Sequence, residues 1–190
     1  MRTLYYSPRS RSDTIVALVR MLSADVTLRE VTIARQDGSG ARDPANPHPE
    51  GKVPYLTDGD EAVRERGAII LYLTDAYPAA GLGPLTGETG RADYLSWLFY
   101  YQGIMEPLLI LKWANVDHPA IAAGLRDFDT MIERLVEPLR RGPWLLGERF
   151  SAADMLCSSP FLWFAELLPE EPVLHDWVAR CGERMSAAAA

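Results

Sequence analysis

The sequence predicts an α/β half followed by an all-helical half. Three observations carry that reading. Up to about residue 76 the chain alternates between short strand-like and helix-like runs. Residues 77–87 then hold two prolines and three glycines, the composition of a connection. Beyond them the apolar residues recur at helical spacing to the end of the chain.

The elements follow in order. Residues 3–6 read as a first strand, and residues 14–22 as a helix with Ile15, Leu18, Val19 and Leu22 on one face. Residues 26–33, rich in Val, Thr and Ile, read as a second strand, followed by a Gly-, Pro- and Asp-rich loop over 36–51. Residues 53–57 and 61–64 form a hairpin around Asp58-Gly59-Asp60, because Gly and Asp tolerate the positive φ of tight turns. A helix over 67–76 places Ile69, Tyr72 and Leu73 on one side. A strand, a helix and a second strand imply a parallel pair, to which the hairpin adds an antiparallel edge. That order is the thioredoxin arrangement. The expected boundaries are a thioredoxin-like domain over 1–77, a linker over 78–87 and an all-α domain over 88–190.

In the second half, one long helix is expected over 88–114, bent at Gly103 or Pro107. Others are expected over 119–141, from Ser151 onward, and over 172–185, with Ser186 and the four terminal alanines frayed. Ser151 and Asp154 have the spacing of a capping box, and Phe150 and Met155 that of a hydrophobic staple. These are marks of folding rather than of chemistry.

Composition narrows the function. The chain has 190 residues, 48% of them hydrophobic, and 19 Lys+Arg against 26 Asp+Glu, a net charge of -7. Such an acidic chain is a poor general binder of nucleic acid, which requires phosphate neutralisation. Residues 94–114 are apolar but broken by Gln102, Gly103, Glu106, Pro107 and Lys112, so a buried helix is expected there and no membrane span. No signal peptide is expected at Met1-Arg2-Thr3. Cys157 and Cys181 are far apart and form no CxxC, and with three His no metal site is expected. A reducing cytoplasm is the simplest location.

Two runs and one segment carry a resemblance: Asn46-Pro47-His48-Pro49-Glu50-Gly51-Lys52-Val53-Pro54-Tyr55-Leu56, then Arg64-Glu65-Arg66-Gly67-Ala68-Ile69-Ile70-Leu71-Tyr72-Leu73, and Gly147 with Ser151-Ala152-Ala153-Asp154. In this order and spacing they resemble the cytosolic glutathione S-transferases of bacterial type, across essentially the whole chain. The resemblance implies the fold named above, glutathione as co-substrate, a small hydrophobic electrophile as second substrate, a role in detoxification and a homodimer. An exposed apolar face on the long helix is consistent with the dimer.

It also implies roles for particular residues. The Val53-Pro54 bond would be cis, turning the Val53 N–H and C=O outward to pair with the cysteinyl backbone of glutathione as an added strand does. The bland alternative is a proline that starts an edge strand. Glu65 would meet the γ-glutamyl ammonium, or serve only as a carboxylate at a helix start. Lys52 would meet the glycyl carboxylate, or stay solvated. Arg66 is a departure, because the family usually has Ser there. It could hold the γ-glutamyl carboxylate bidentately, or fill the pocket.

Catalysis would lower the pKa of the glutathione thiol, about 8.5 when free, at about 1.4 kcal/mol per unit. The loop from Tyr6 to Ser12 lies in the right place and offers three hydroxyls. Ser10 matches the catalytic serine of many bacterial members, Tyr6 the tyrosine of other branches. Ser12 could donate but is also a natural N-cap for the helix that follows. The loop has no cysteine, so disulfide chemistry on a protein thiol is not expected. Arg9 and Arg11 would stabilise a thiolate or lie solvated. Tyr100, Tyr101 and Ile104, with Trp113, could line the electrophile side, or belong to core or dimer interface. The reading that competes with catalysis is a glutathione S-transferase-like binding or interaction protein.

Overall fold

A computed structural model describes residues 1–188. The N-terminal half is β1 (Arg2–Tyr6), α1 (Asp13–Met21), β2 (Val26–Glu30), β3 (Tyr55–Asp58), β4 (Glu61–Val63) and α2 (Arg66–Ala76). The sheet order is β2-β1-β3-β4, with β1 parallel to β2 and the other pairs antiparallel. This is the thioredoxin-like arrangement the sequence predicts. Leu4 of β1 lies opposite Leu28 on one side and Leu56 on the other and is fully buried. The second strand is shorter than expected: Thr32 and Ile33 lie in irregular chain, where the Thr32 N–H is taken by the Asp43 carboxylate at 3.0 Å.

The helical half contains α3 (Arg91–Tyr100), a π-helical segment (Tyr101–Met105), α4 (Glu106–Trp113), α5 (Pro119–Leu125), α6 (Phe128–Leu139), α7 (Ala152–Trp163) and α8 (Pro172–Ala187). The expected long helix is present as α3, the π segment and α4 in succession. Pro107 has no N–H to give and would crowd the carbonyl four residues back, at Gly103. The wider turn absorbs that conflict: the Glu106 N–H bonds the Tyr101 carbonyl, an i to i−5 bond. The helix expected over 119–141 is two helices. Arg126 takes a φ of 92°, and Asp127 caps a new helix by accepting the Thr130 N–H at 2.7 Å. A local cap here overrides continuous periodicity. Ser186 is helical, and the expected fraying of 189 and 190 falls outside the described residues.

The connection between the halves is no loose tether. Leu82, Gly83 and Pro84 are buried, and the Leu82 carbonyl accepts the Ala152 N–H at 2.7 Å. A side chain at Gly83 would come within 2.9 Å of the Tyr94 ring. One hydrophobic cluster runs from Leu4 and Ile15 through Tyr94 and Tyr101 to Leu156 and Trp177. Among the described residues no helix is long and apolar enough to cross a membrane.

Candidate functional site

Between the halves lie two adjoining clefts, of about 450 and 290 Å3. Both are lined by Arg11, Lys52, Val53, Arg66, Glu106 and Ile110. The smaller adds Pro54, Glu65, His48 and Gln102; the larger adds Ser10, Arg9, Arg35, Tyr101 and an apolar wall.

The β1–α1 loop forms one side. Ser7 and Ser12 are buried, whereas Ser10 is partly open. The Ser10 hydroxyl lies 2.7 Å from the Ser7 carbonyl and 2.7 Å from the Ser12 hydroxyl. Ser12 occupies the N-cap position with helical φ and ψ, −71° and −19°, and its side chain caps nothing. A capping serine needs extended backbone. Its hydroxyl instead folds under the loop, accepting the Ser7 N–H and donating to the Ser7 carbonyl, each at 3.0 Å. Arg35 braces the same loop by donating to the Pro8 and Arg9 carbonyls at 2.7 and 2.9 Å. The Asp13 carboxyl, raised in pKa chiefly by burial, accepts the Arg9 N–H at 3.0 Å.

The opposite side comes from the segment before β3. The Val53-Pro54 bond is cis. The strand begins only at Tyr55, so Val53 lies outside the ladder, and among the described residues its N–H and C=O make no hydrogen bond. A backbone unit that borders both clefts with donor and acceptor unmet is an edge to which a ligand backbone can pair. Glu65, at the N-cap of α2, is exposed and has a φ of 67°, uncommon outside glycine. Gln102 donates to its carboxylate at 3.3 Å.

Arg66 is buried. Its guanidinium donates to Glu106 at 2.9 Å, to Ser159 at 3.1 Å and to the Tyr101 hydroxyl. The other Glu106 oxygen pairs with Arg11. Burial is the largest influence on Glu106 and pushes its pKa up, but the two guanidiniums outweigh it and hold it below the ordinary carboxylate range. Burial likewise raises the Tyr101 hydroxyl, against Arg66, to about 12.

The two clefts bring together Ser10, Lys52, Val53, Pro54, Glu65, Arg66 and Tyr101. Tyr6, Ser12, Tyr100 and Ile104 line neither. Tyr6 ends β1, and with Tyr100 and Ile104 it packs against the core. On the long helix Tyr101 and, five residues on across the π turn, Glu106 both reach Arg66, whereas Tyr100 and Ile104 point elsewhere. Glu106, Gln102, Arg35 and His48 were not singled out from the sequence as site residues. For Glu106 a signal existed, a lone acid inside an apolar helix; for Arg35 and Gln102 none did. Cys157 and Cys181 are buried and line neither cleft, and burial raises both thiols. Among the described residues no group of three or more His, Cys, Asp or Glu could hold a metal ion.

Comparison with known proteins points the same way. Residues 4–83 match the glutathione S-transferase N-terminal domain. The disulfide-bond oxidoreductase YfcG of Escherichia coli K12 is 29% identical over 172 residues, covering 83% of this chain and 77% of that one. A glutathione transferase structure from Methylococcus capsulatus is 28% identical, covers 100% of this chain and 99% of its own, and superposes with a TM-score of 0.77. A sphingomonad glutathione S-transferase solved with glutathione is 25% identical, covers 98% of each chain, and gives a TM-score of 0.74.

Proposed function

The chain belongs to the glutathione S-transferase family of bacterial type, and from that premise we propose that it binds glutathione in the paired clefts and transfers its thiolate to small hydrophobic electrophiles. The observation that carries this is the meeting of Ser10 with the unpaired Val53 backbone across one cleft. Val53 pairs with the cysteinyl backbone of the ligand, which sets its sulfur beside the β1–α1 loop. Glu65 and Lys52 take the γ-glutamyl ammonium and the glycyl carboxylate. Arg66 offers the γ-glutamyl carboxylate only its backbone N–H, because its guanidinium is committed to Glu106, Tyr101 and Ser159.

Ser10 donates to the thiolate. Ser12 already donates to the Ser7 carbonyl, so Ser10 can turn toward sulfur without leaving that carbonyl bare. A positioned hydroxyl of this kind stabilises developing or resident negative charge most when water is excluded. We place the protein in the cytoplasm, as a homodimer that uses its exposed Phe99 face on α3, with detoxification as its role.

The test is calorimetry with glutathione, then turnover with a chlorodinitrobenzene. Ser10→Ala is expected to lower kcat/KM by about a hundredfold and to raise the apparent pKa of bound thiol, read from thiolate absorbance. Retained activity in Ser10→Ala would remove Ser10 from this role. A second reading, glutathione binding without catalysis, is favoured by Arg66 in the place of the family's Ser. Binding with no turnover of either electrophile or disulfide would select it. Turnover of a disulfide alone would select the chemistry named for the E. coli relative.

A further inference from the structure

The larger cleft has two unlike sides. Eight large hydrophobic side chains are exposed among the described residues, and four of them, Ile110, Trp113, Trp163 and Phe164, line this one cleft at 40–51% exposure. The Trp113 and Phe164 rings stand 6.4 Å apart and tilted by 50°, so they make a corner and not a closed stack. Exposed aromatic surface gathered at one concavity marks a binding face for a flat apolar body.

Facing it are Arg9, Arg11, Arg35, Lys52 and Arg66, with Glu106 as the one acidic residue of the lining. That is the reverse of the chain as a whole, whose net charge is -7. A cleft of one sign with low-dielectric walls concentrates ligands of the opposite sign. Glutathione answers part of the excess, through two carboxylates and a thiolate offset by its ammonium. Three of the cations are spent inside the protein: Arg66 and Arg11 on Glu106, and Arg35 on the loop carbonyls. Arg9 differs. It lines the larger cleft and not the smaller, and among the described residues its guanidinium has no ion-pair or hydrogen-bond partner. Its backbone is held from both sides, by Asp13 at the N–H and Arg35 at the carbonyl, in a φ of 56°. A non-glycine residue fixed in that region beside a site points to a functional constraint.

We propose that the second substrate is a planar aromatic electrophile bearing an acidic group, its ring against Trp113 and Phe164 and its anion toward Arg9. This rests on the transferase reading and names the substrate class of the same site. In the reaction the glutathione sulfur bonds to the ring carbon that carries the leaving group, the carbon–halogen bond breaks, halide departs, and the thiol proton passes to water.

A matched pair tests it: a chlorodinitrobenzoate with the carboxylate para to chlorine and a nitro group on each side of the chlorine, and the compound with trifluoromethyl in place of the carboxylate. Each rate is corrected for the uncatalysed reaction. The carboxylate is expected to be favoured in kcat/KM by at least about tenfold at low salt. That ratio should shrink as salt is added and collapse toward one in Arg9→Gln. A ratio of one in the wild type overturns the proposal, as does a preference that Arg9→Gln leaves intact. The same pair without chlorine is titrated against tryptophan fluorescence, which Trp113 and Trp163 report. Absent turnover of both chlorinated compounds breaks the transferase reading alone if the dinitrobenzoate still binds tenfold tighter than its neutral partner. Equal binding of the two overturns the acidic class whatever the turnover.

Discussion

Asp154 and Glu106 are both carboxylates set into the helical half, and they are held in opposite ways. Asp154 is fully buried and accepts four hydrogen bonds at 2.8–3.0 Å, from the Leu145 and Ser151 N–H groups, the Ser151 hydroxyl and the Trp177 indole. Every donor is neutral and none lies beyond the helical half. Burial is the largest influence and raises its pKa, against the pull of those donors. Glu106 has two charged partners instead, Arg66 and Arg11, which lie 40 and 95 residues away in the other half. Its pKa falls despite burial. A buried acid satisfied by neutral donors of its own half fixes the start of a helix. One satisfied by cations from across the cleft fixes the relation of the β1–α1 loop, the start of α2 and the long helix.

Removal of Asp154 should have the largest effect on stability. Asp154→Ala strands four buried donors and is expected to cost about 4 kcal/mol in urea unfolding. The glutathione affinity of the protein that remains folded should not change, since Asp154 borders neither cleft. A loss of affinity would mean that the capping box also shapes the site. Glu106→Ala should cost less, about 3 kcal/mol, by leaving the buried Arg66 guanidinium with neutral partners only. It should in addition raise the KM for glutathione, because both clefts lose a shared wall.

The two acids also have opposite pH signatures. The folded pKa of Glu106 is depressed, so its contribution to stability is present above about pH 4.3, the unfolded value, and is lost as pH falls through the folded one. That of Asp154 is raised, so its contribution is full below about pH 3.9 and declines as pH rises through the folded value. The stability gap between wild type and Glu106→Gln should therefore narrow on acidification. The gap between wild type and Asp154→Asn should widen. Unfolding midpoints taken from about pH 3 to 7 read both trends; parallel trends would mean that one of the two environments is misassigned.

The contrast also explains what could be read from the chain. The Asp154 box was legible because its signal is local: a serine, two intervening residues and an acid after a turn. The sheet order and the Val53-Pro54 edge were legible for the same reason, being written in short runs. Glu106 and Arg66 were not legible as a pair. Their partnership depends on a one-residue reset of the helix at Gly103 and Pro107, and no local rule announces that Glu106 will bond back five residues. Tyr100 and Tyr101 are neighbours on one helix and could not both face the cleft, and apolar spacing alone does not say which of them does. Ser12 misled in a different way. Its type and position suit a cap, yet the loop needed its hydroxyl more, to hold the Ser7 backbone. The break at Arg126 and Asp127 was local and readable, but continuous apolar spacing concealed it.

The smallest effect divides Glu106 between its two partners. Arg66 is 5% exposed and Arg11 is 55% exposed, although both reach the same carboxylate. Coulomb attraction at the water-facing end is screened, and holding a long side chain there costs rotamer entropy, so an exposed pair contributes little. A double-mutant cycle should give a coupling of about 0.5 kcal/mol for Glu106 with Arg11. The coupling with Arg66 should be severalfold larger, because breaking that pair leaves a charge with no water to turn to. Arg11 should therefore show itself in catalysis rather than in folding. Arg11→Gln should leave the unfolding midpoint nearly in place and weaken the hold on the loop that carries Ser10. Equal couplings for the two arginines would mean that Glu106 sits in one uniform environment, and the contrast with Asp154 would then lie in the sign of the partners alone and not in where they reside.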